Sequence, residues 1–210
     1  MRGGRVRMEL RLTLSRIRHA TCVLSERLGS GERFLMWIPI SYDVLSSPIG
    51  RMEIASVCRN LSSELRPYLI FEISELPYGV PQSRLSELVG SLRPFCRCVM
   101  AQLTARVANY GAYLGAGLHA IGLSLPAPGV SEIEIDSEIS KLSVAAKKQQ
   151  IMSFVLDVPN AALLLSAREC GINLLSSPFI GEARNAPTPI KRLPAQDIVM
   201  AATGAFAIAT

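Results

Sequence analysis

The sequence predicts an α/β fold built on a parallel sheet, and three observations carry that prediction. Short apolar runs recur, helix-length segments separate them, and nucleotide-binding motifs are missing. The runs that predict strands are residues 34–40, 68–73, 97–103, 119–123, 150–156 and 172–175. Strands that alternate with helices at this spacing are typical of βα units, whose strands are parallel.

Amphipathic spacing predicts the helices between these runs. In residues 82–92, for example, Leu85, Leu88, Val89 and Leu92 recur at intervals of three and four, which places them on one helix face. The other predicted helices are residues 51–65, 104–115, 132–147 and 159–170. A further helix over residues 9–28 precedes the first strand, and Gly29 follows it as a C-cap glycine would.

The missing motifs favour a barrel over a doubly wound sheet. No G-x-G-x-x-G follows the first strand and no P-loop occurs in the sequence. An eightfold (β/α) barrel usually takes about 250 residues, whereas six βα units fit into these 210. We therefore expect a parallel (β/α) barrel that is incomplete or modified at its amino-terminal end, with an open sheet edge that invites association.

Composition divides the chain into three predicted segments. Residues 1–8 form a basic arm, residues 9–183 the barrel domain, and residues 184–210 a proline-containing tail. The net charge of +5 lies within the first twenty residues, where six arginines face one glutamate. Such an arm could contact nucleic acid or anionic lipid, or form a solvated helix face. No aromatic residue interleaves the arginines, so a nucleic-acid surface is not predicted.

The cysteines and apolar runs indicate a cytoplasmic protein. Five cysteines are present, and Cys96 and Cys98 form C-x-C, without a second pair at metal-binding spacing. We expect all five to be reduced. No signal peptide is apparent, and the longest apolar stretch, residues 198–209, is too short to span a bilayer.

Glu72 is the main candidate for a functional residue. It lies near the end of the most apolar predicted strand, where alternation aims it opposite to Phe71 and Ile73. A carboxylate among such neighbours must be solvated, paired or metal-bound, because an unpaired buried charge is costly.

Three blocks carry a resemblance to a known family. Residues 37–41 read Trp-Ile-Pro-Ile-Ser, residues 69–75 read Leu-Ile-Phe-Glu-Ile-Ser-Glu, and residues 170–181 read Cys-Gly-Ile-Asn-Leu-Leu-Ser-Ser-Pro-Phe-Ile-Gly. In order and separation they resemble the EAL domain, the barrel family of cyclic di-GMP phosphodiesterases, over residues 12–183. The resemblance implies a barrel of EAL type, and it makes Glu72 the counterpart of a metal-binding glutamate.

The same resemblance implies two divalent cations at the carboxyl ends of the strands, and the other ligand positions can be compared one at a time. The family's asparagine falls on Pro39, and its aspartate pair falls near Ala101 and Gln102. Its lysine and aspartate fall on Gly122 and Ser124. Its glutamate falls on Phe154, with Asp157 in the second acidic place, and its late glutamine falls on Ser176. The Glu-Ala-Leu motif and the substrate-holding arginine after it are missing with the first strand.

One carboxylate cannot hold two hard cations, which need several oxygen ligands each. The resemblance therefore predicts no catalytic residue, no cofactor and no metal, leaving Glu72 as a relic of a metal ligand. We also expect the barrel mouth to be apolar, since Ala101, Gly122 and Phe154 are residues that line a core.

Four hypotheses follow for function. The first is a catalytically inactive EAL-like domain that acts in bacterial signalling through contact with an unidentified protein or a second copy. The alternative is a receptor that binds cyclic di-GMP without hydrolysing it. The third hypothesis is an enzyme of another kind, for which His19 and His119 are the only histidines that could serve as general bases. Last, the chain could be a fragment of a longer signalling protein.

Overall fold

The fold is described by a computed structural model, which covers residues 2–103, 110–125, 131–178 and 180. The chain divides into two compact units, Met1–Ile121 and Gly122–Thr210. The first unit contains α1 (Arg2–Gly29), β1 (Met36–Ser41), α2 (Tyr42–Ser46), α3 (Pro48–Arg59), β2 (Leu69–Leu76), α4 (Gln82–Leu92), β3 (Cys98–Leu103) and α5 (Gly111–Leu114), with short 3₁₀ helices at Ser63–Tyr68 and Arg93–Phe95. Strand β4 (Ala120–Ser124) crosses the division, and α6 (Glu132–Lys148), β5 (Met152–Leu156), α7 (Ala161–Glu169) and β6 (Leu174–Leu175) follow.

The predicted fold class is confirmed. The described strands number six and follow the order β1-β2-β3-β4-β5-β6, and the strand pairs whose register is known are parallel. Sequential order is that of a singly wound (β/α) barrel, whereas a doubly wound sheet reverses direction at a switch point. Six described strands instead of eight make this an incomplete (β/α) barrel.

In the first unit, side chains alternate between the two faces of the sheet. Ile38, Phe71 and Val99 come from three adjacent strands and are at most 2% exposed. These branched and aromatic residues fit a buried pleated surface. The residues between them point to the opposite face, and that face contains Glu72 in the middle strand.

Helix α1 packs against β1, the first strand of the sheet. Its buried side includes Ile17 and Leu24, both fully buried. The helix begins at Arg2 and not at Glu9, so it includes most of the predicted basic arm. The C-cap of α1 also differs from the prediction, because Gly31 and not Gly29 is the left-handed residue, at a φ of +88°. The Glu32 N–H donates to the Arg27 carbonyl, as in a Schellman motif.

Two further helices of the structure differ from the prediction. The segment predicted as residues 51–65 is α3, which begins at Pro48 behind the N-cap Ser47, followed by a separate 3₁₀ helix. Proline suits the first helical turn because the amide it lacks would be unpaired there. Helix α2, which directly follows β1, was not predicted. Residues 104–109 and the predicted tail 184–210 lie outside the described residues.

The second unit has its own core. Strands β5 and β6 are paired, α6 packs on α7 and on β5, and Phe154 and Ile139 are fully buried. In neither unit is any helix of the described ranges both long and apolar enough to cross a membrane.

Candidate functional site

Glu72 is buried in the middle of β2, with 3% of its surface exposed. Its neighbours in register are Pro39 on β1 and Met100 on β3. Trp37, two residues before Pro39, donates its indole Nε1–H to Oε2 of Glu72 at 2.6 Å. A short bond to a charged or chargeable oxygen is a strong one, so the indole stabilises the carboxylate that the apolar strand buries.

A cleft of about 320 Å³ lies over this part of the first unit. It is lined by Arg5, Val6, Glu9, Arg16, Pro39, Ser41, Asp43, Glu72, Ser74, Glu75 and Gln102. The lining combines the carboxyl ends of β1, β2 and β3 with the amino-terminal half of α1. Ligands of (β/α) barrels bind at this end of the strands, which makes the cleft the candidate site of the first unit.

The cleft is polar, so the expectation of an apolar mouth is wrong for this unit. The reason is α1, which places two arginines and a glutamate there. Arg16 forms an ion pair with Glu9 at 3.5 Å. Arg5 and Asp43 form no ion pair or hydrogen bond with the described residues, and each keeps its charge available for a ligand.

A bulge shapes the end of β2. Register between β2 and β3 shifts between Ile73 and Leu76, and Glu75 has a φ of +55°, which is uncommon outside glycine. Its amide N–H donates to Oε1 of Gln102 at 3.4 Å. The bulge therefore turns Glu75 toward the cleft, an effect that β-bulges often have beside binding sites.

The second unit holds other positions that the sequence resemblance aligned with family ligands, among them Gly122 and Phe154. A Cβ built on Gly122 would lie 2.3 Å from the ring of Phe154 and 2.4 Å from its carbonyl oxygen. No side chain larger than hydrogen fits at Gly122 without a shift of Phe154. The glycine and the phenylalanine are thus a matched pair that fills the space between β4 and β5.

Polar groups at the end of this unit's strands bond to one another. Ser124 donates its hydroxyl to Oδ2 of Asp157 at 2.9 Å, and Asp157 has a φ of +59°. Ser176 contributes backbone bonds to Val155 and Val158. Among the described residues of the whole chain, no group of three or more His, Cys, Asp or Glu side chains is placed to hold a metal ion.

The cysteines are free thiols, in agreement with the prediction. Burial raises the pKa of Cys58 to about 11 and that of Cys96 to about 12. Both are therefore neutral near pH 7, and a neutral thiol is a poor nucleophile and a poor metal ligand.

Sequence reasoning missed Trp37, Arg5 and Arg16 as site residues. Trp37 is 35 positions from Glu72, and only the β1–β2 register brings them together. The arginines were recognised as a basic segment, yet their contribution to the cleft depends on how α1 packs on β1. A signal for the tryptophan does exist, because a lone indole on the strand before a buried carboxylate is a natural donor.

The fold and the cleft define the class first: a (β/α) barrel protein with a charged cleft at the carboxyl ends of its strands. Comparison with solved structures makes this more specific, because the chain has the fold of EAL domains. No family model matches the sequence, and no curated protein sequence matches it.

Three solved structures illustrate the likeness. The phosphodiesterase PaMucR in complex with c-di-GMP is 12% identical with a TM-score of 0.59, over 82% of this chain and 75% of that one. The Xanthomonas citri FimX EAL domain in complex with c-di-GMP is 16% identical with a TM-score of 0.57, over 85% and 72%. Vibrio cholerae LapD S helix-GGDEF-EAL, bound to c-di-GMP, is 15% identical with a TM-score of 0.58, over 79% of this chain but only 42% of that one.

Proposed function

We propose that this chain is a catalytically inactive EAL-like module of bacterial cyclic di-GMP signalling, located in the cytoplasm and acting through contact with another protein or a second copy. It needs no cofactor in this role. The observation that carries the proposal is the buried carboxylate of Glu72, which is bonded to the Trp37 indole and flanked in register by Pro39 and Met100.

Coordination chemistry supports inactivity. Hydrolysis by paired divalent cations requires several carboxylate or amide oxygens that converge on each ion. Proline has no side-chain ligand atom, and a thioether is a soft ligand that does not select Mg²⁺ or Mn²⁺. Glu72 is therefore proposed as a relic of a metal ligand, with no catalytic or metal-binding role.

The packing of the second unit supports the same conclusion independently. Phe154 and Gly122 stand where the resemblance places a family glutamate and lysine, and the Phe154 ring occupies the space that a side chain at Gly122 would need. Restoring a charged pair there would require both residues to change together.

The domain organisation is part of the proposal. Residues 9–183 are taken as the barrel domain, residues 1–8 as a basic arm and residues 184–210 as a tail. Helix α1 passes through the first of these boundaries without a break.

The direct test is hydrolysis of cyclic di-GMP by the purified chain with Mg²⁺ or Mn²⁺, followed by chromatography of the products. We expect no turnover above that of a Glu72→Gln variant. Turnover by the unaltered chain that Glu72→Gln abolishes would contradict the proposal.

A receptor that binds cyclic di-GMP without hydrolysing it is the alternative. The observation that favours it is Arg5, whose guanidinium has no partner in the described part of the chain and lines a cleft whose volume suits a small ligand. Calorimetric titration with the dinucleotide decides between the two. Micromolar or tighter binding that Arg5→Gln weakens, with Arg59→Gln as the control, would favour the receptor over the proposal above.

A further inference from the structure

We propose that the outward face of α1 is a docking surface for an anionic lipid membrane. This outward face consists of Arg7, Met8, Arg11, Leu12, Arg18 and His19, all of which are exposed. On an ideal helix these positions lie within one sector of the surface, opposite the buried side that holds Ile17 and Leu24.

Charge distribution is the first argument. Arg2–Gly29 contains seven arginines and two glutamates, which together equal the entire net charge of +5. The remaining residues are neutral in sum. An anionic partner would therefore be attracted to α1 more than to the rest of the chain taken as a whole.

The arginines of the outward face are also available to bind an anionic surface. Their guanidinium groups form no ion pair or hydrogen bond with the described residues, whereas Arg16 is paired with Glu9 on the cleft side of the helix. Arg7, Arg11 and Arg18 follow one another along a single row of about 16 Å. Between Arg7 and His19 the outward face contains no carboxylate, and Glu26, in the same sector, lies about two turns further along the helix.

An apolar pair stands beside this row. Met8 is 62% exposed and Leu12 is 44% exposed, one helical turn apart. Basic side chains next to exposed apolar ones match a lipid surface, where arginines meet headgroup phosphates while apolar groups enter the acyl boundary.

Other occupants fit the outward face less well. A second copy would place two rows of arginines against each other, which like charges disfavour. Nucleic acid would use the arginines, but the outward face has no Phe, Tyr or Trp side chain for stacking and would leave Met8 and Leu12 in water. A membrane uses both kinds of side chain.

The test is co-sedimentation of the full chain with vesicles. We expect binding to mixed phosphatidylcholine and phosphatidylglycerol vesicles that weakens with salt, and little binding to phosphatidylcholine alone. An arginine near an anionic surface contributes roughly fivefold. The triple variant Arg7→Gln/Arg11→Gln/Arg18→Gln should therefore lower the partition coefficient roughly a hundredfold, and Met8→Gln/Leu12→Gln roughly tenfold.

A matched control removes the same charge elsewhere. Arg59, Arg93 and Arg97 are exposed and lie outside α1, and their triple change to glutamine should lower binding far less. Circular dichroism verifies that every variant keeps its helix content. No binding to anionic vesicles at low salt, equal losses in both triple variants, or tighter binding to duplex DNA than to vesicles would each overturn the proposal.

Discussion

The two units treat the positions that the sequence resemblance aligns with metal ligands in opposite ways. In the first, the carboxylate of Glu72 is retained and bonded to an indole inside a charged cleft. In the second, Phe154 fills the space beside Gly122 and leaves no room for a side chain. A buried acid is thus tolerated where a donor satisfies it, whereas the second unit fills the corresponding space by packing.

Gly122→Ala gives the largest expected effect on stability, because it adds a methyl group where Phe154 leaves no space. The new Cβ would meet the Phe154 ring at 2.3 Å and its carbonyl at 2.4 Å. Overpacking of this kind costs about 3 kcal/mol, and urea unfolding measures it.

Gly90→Ala is the matched control for that change. Gly90 lies in α4 with nothing within 4 Å of a Cβ built on it, so alanine there should raise stability by about 0.5–1 kcal/mol. Equal stability of Gly122→Ala and Gly90→Ala would show that the space beside Gly122 is open. That result would contradict the difference drawn between the two units.

Trp37→Phe tests the polar region and should have an intermediate effect. It removes the indole donor from Glu72, and a double-mutant cycle with Glu72→Gln should give a coupling of about 2 kcal/mol in the free energy of unfolding. As a control, a second cycle combines Trp37→Phe with Glu53→Gln. Glu53 is an exposed residue of α3, and this cycle should show no coupling. A coupling near zero for Glu72 would mean that the indole does not stabilise the carboxylate.

The smallest expected effect near neutral pH is that of Cys96, whose pKa burial raises from 9.0 to about 12, because this thiol alters stability only in alkaline solution. Below pH 9 the folded and unfolded chains both keep this proton, so stability is unaffected. Between pH 9 and about pH 12 the unfolded chain loses this proton while the folded chain keeps it, so the free energy of unfolding falls as pH rises. Unfolding of wild type and Cys96→Ala across this range measures the difference, and identical pH slopes would contradict it.

Periodicity predicted the fold well because burial imposes it. Alternating and amphipathic patterns located the strands to within a few residues, and α4 was predicted with the observed bounds. Helix α2 escaped prediction because five residues are too few to show a helical repeat. The cap at Gly31 was placed at Gly29 because the sequence offers both glycines, and only backbone geometry distinguishes them.

The site was less predictable, for a reason that concerns distance along the chain. Glu72 stood out because a carboxylate in an apolar strand is locally conspicuous. Its bond to Trp37 and the position of Arg5 in the cleft depend on strand register and helix packing. A comparison of motifs identifies which family ligands have no counterpart in the sequence, but it does not identify the residues that line the cleft.

Trp37 allows the most direct test of the central claim, because it is the only tryptophan in the sequence and it is bonded to Glu72. Bound Mn²⁺ at Glu72 would quench its fluorescence. Titration with Mn²⁺ should give no saturable quenching, in the unaltered chain as in Glu72→Gln. Saturable quenching that Glu72→Gln removes would show that Glu72 still binds metal, and it would contradict the account.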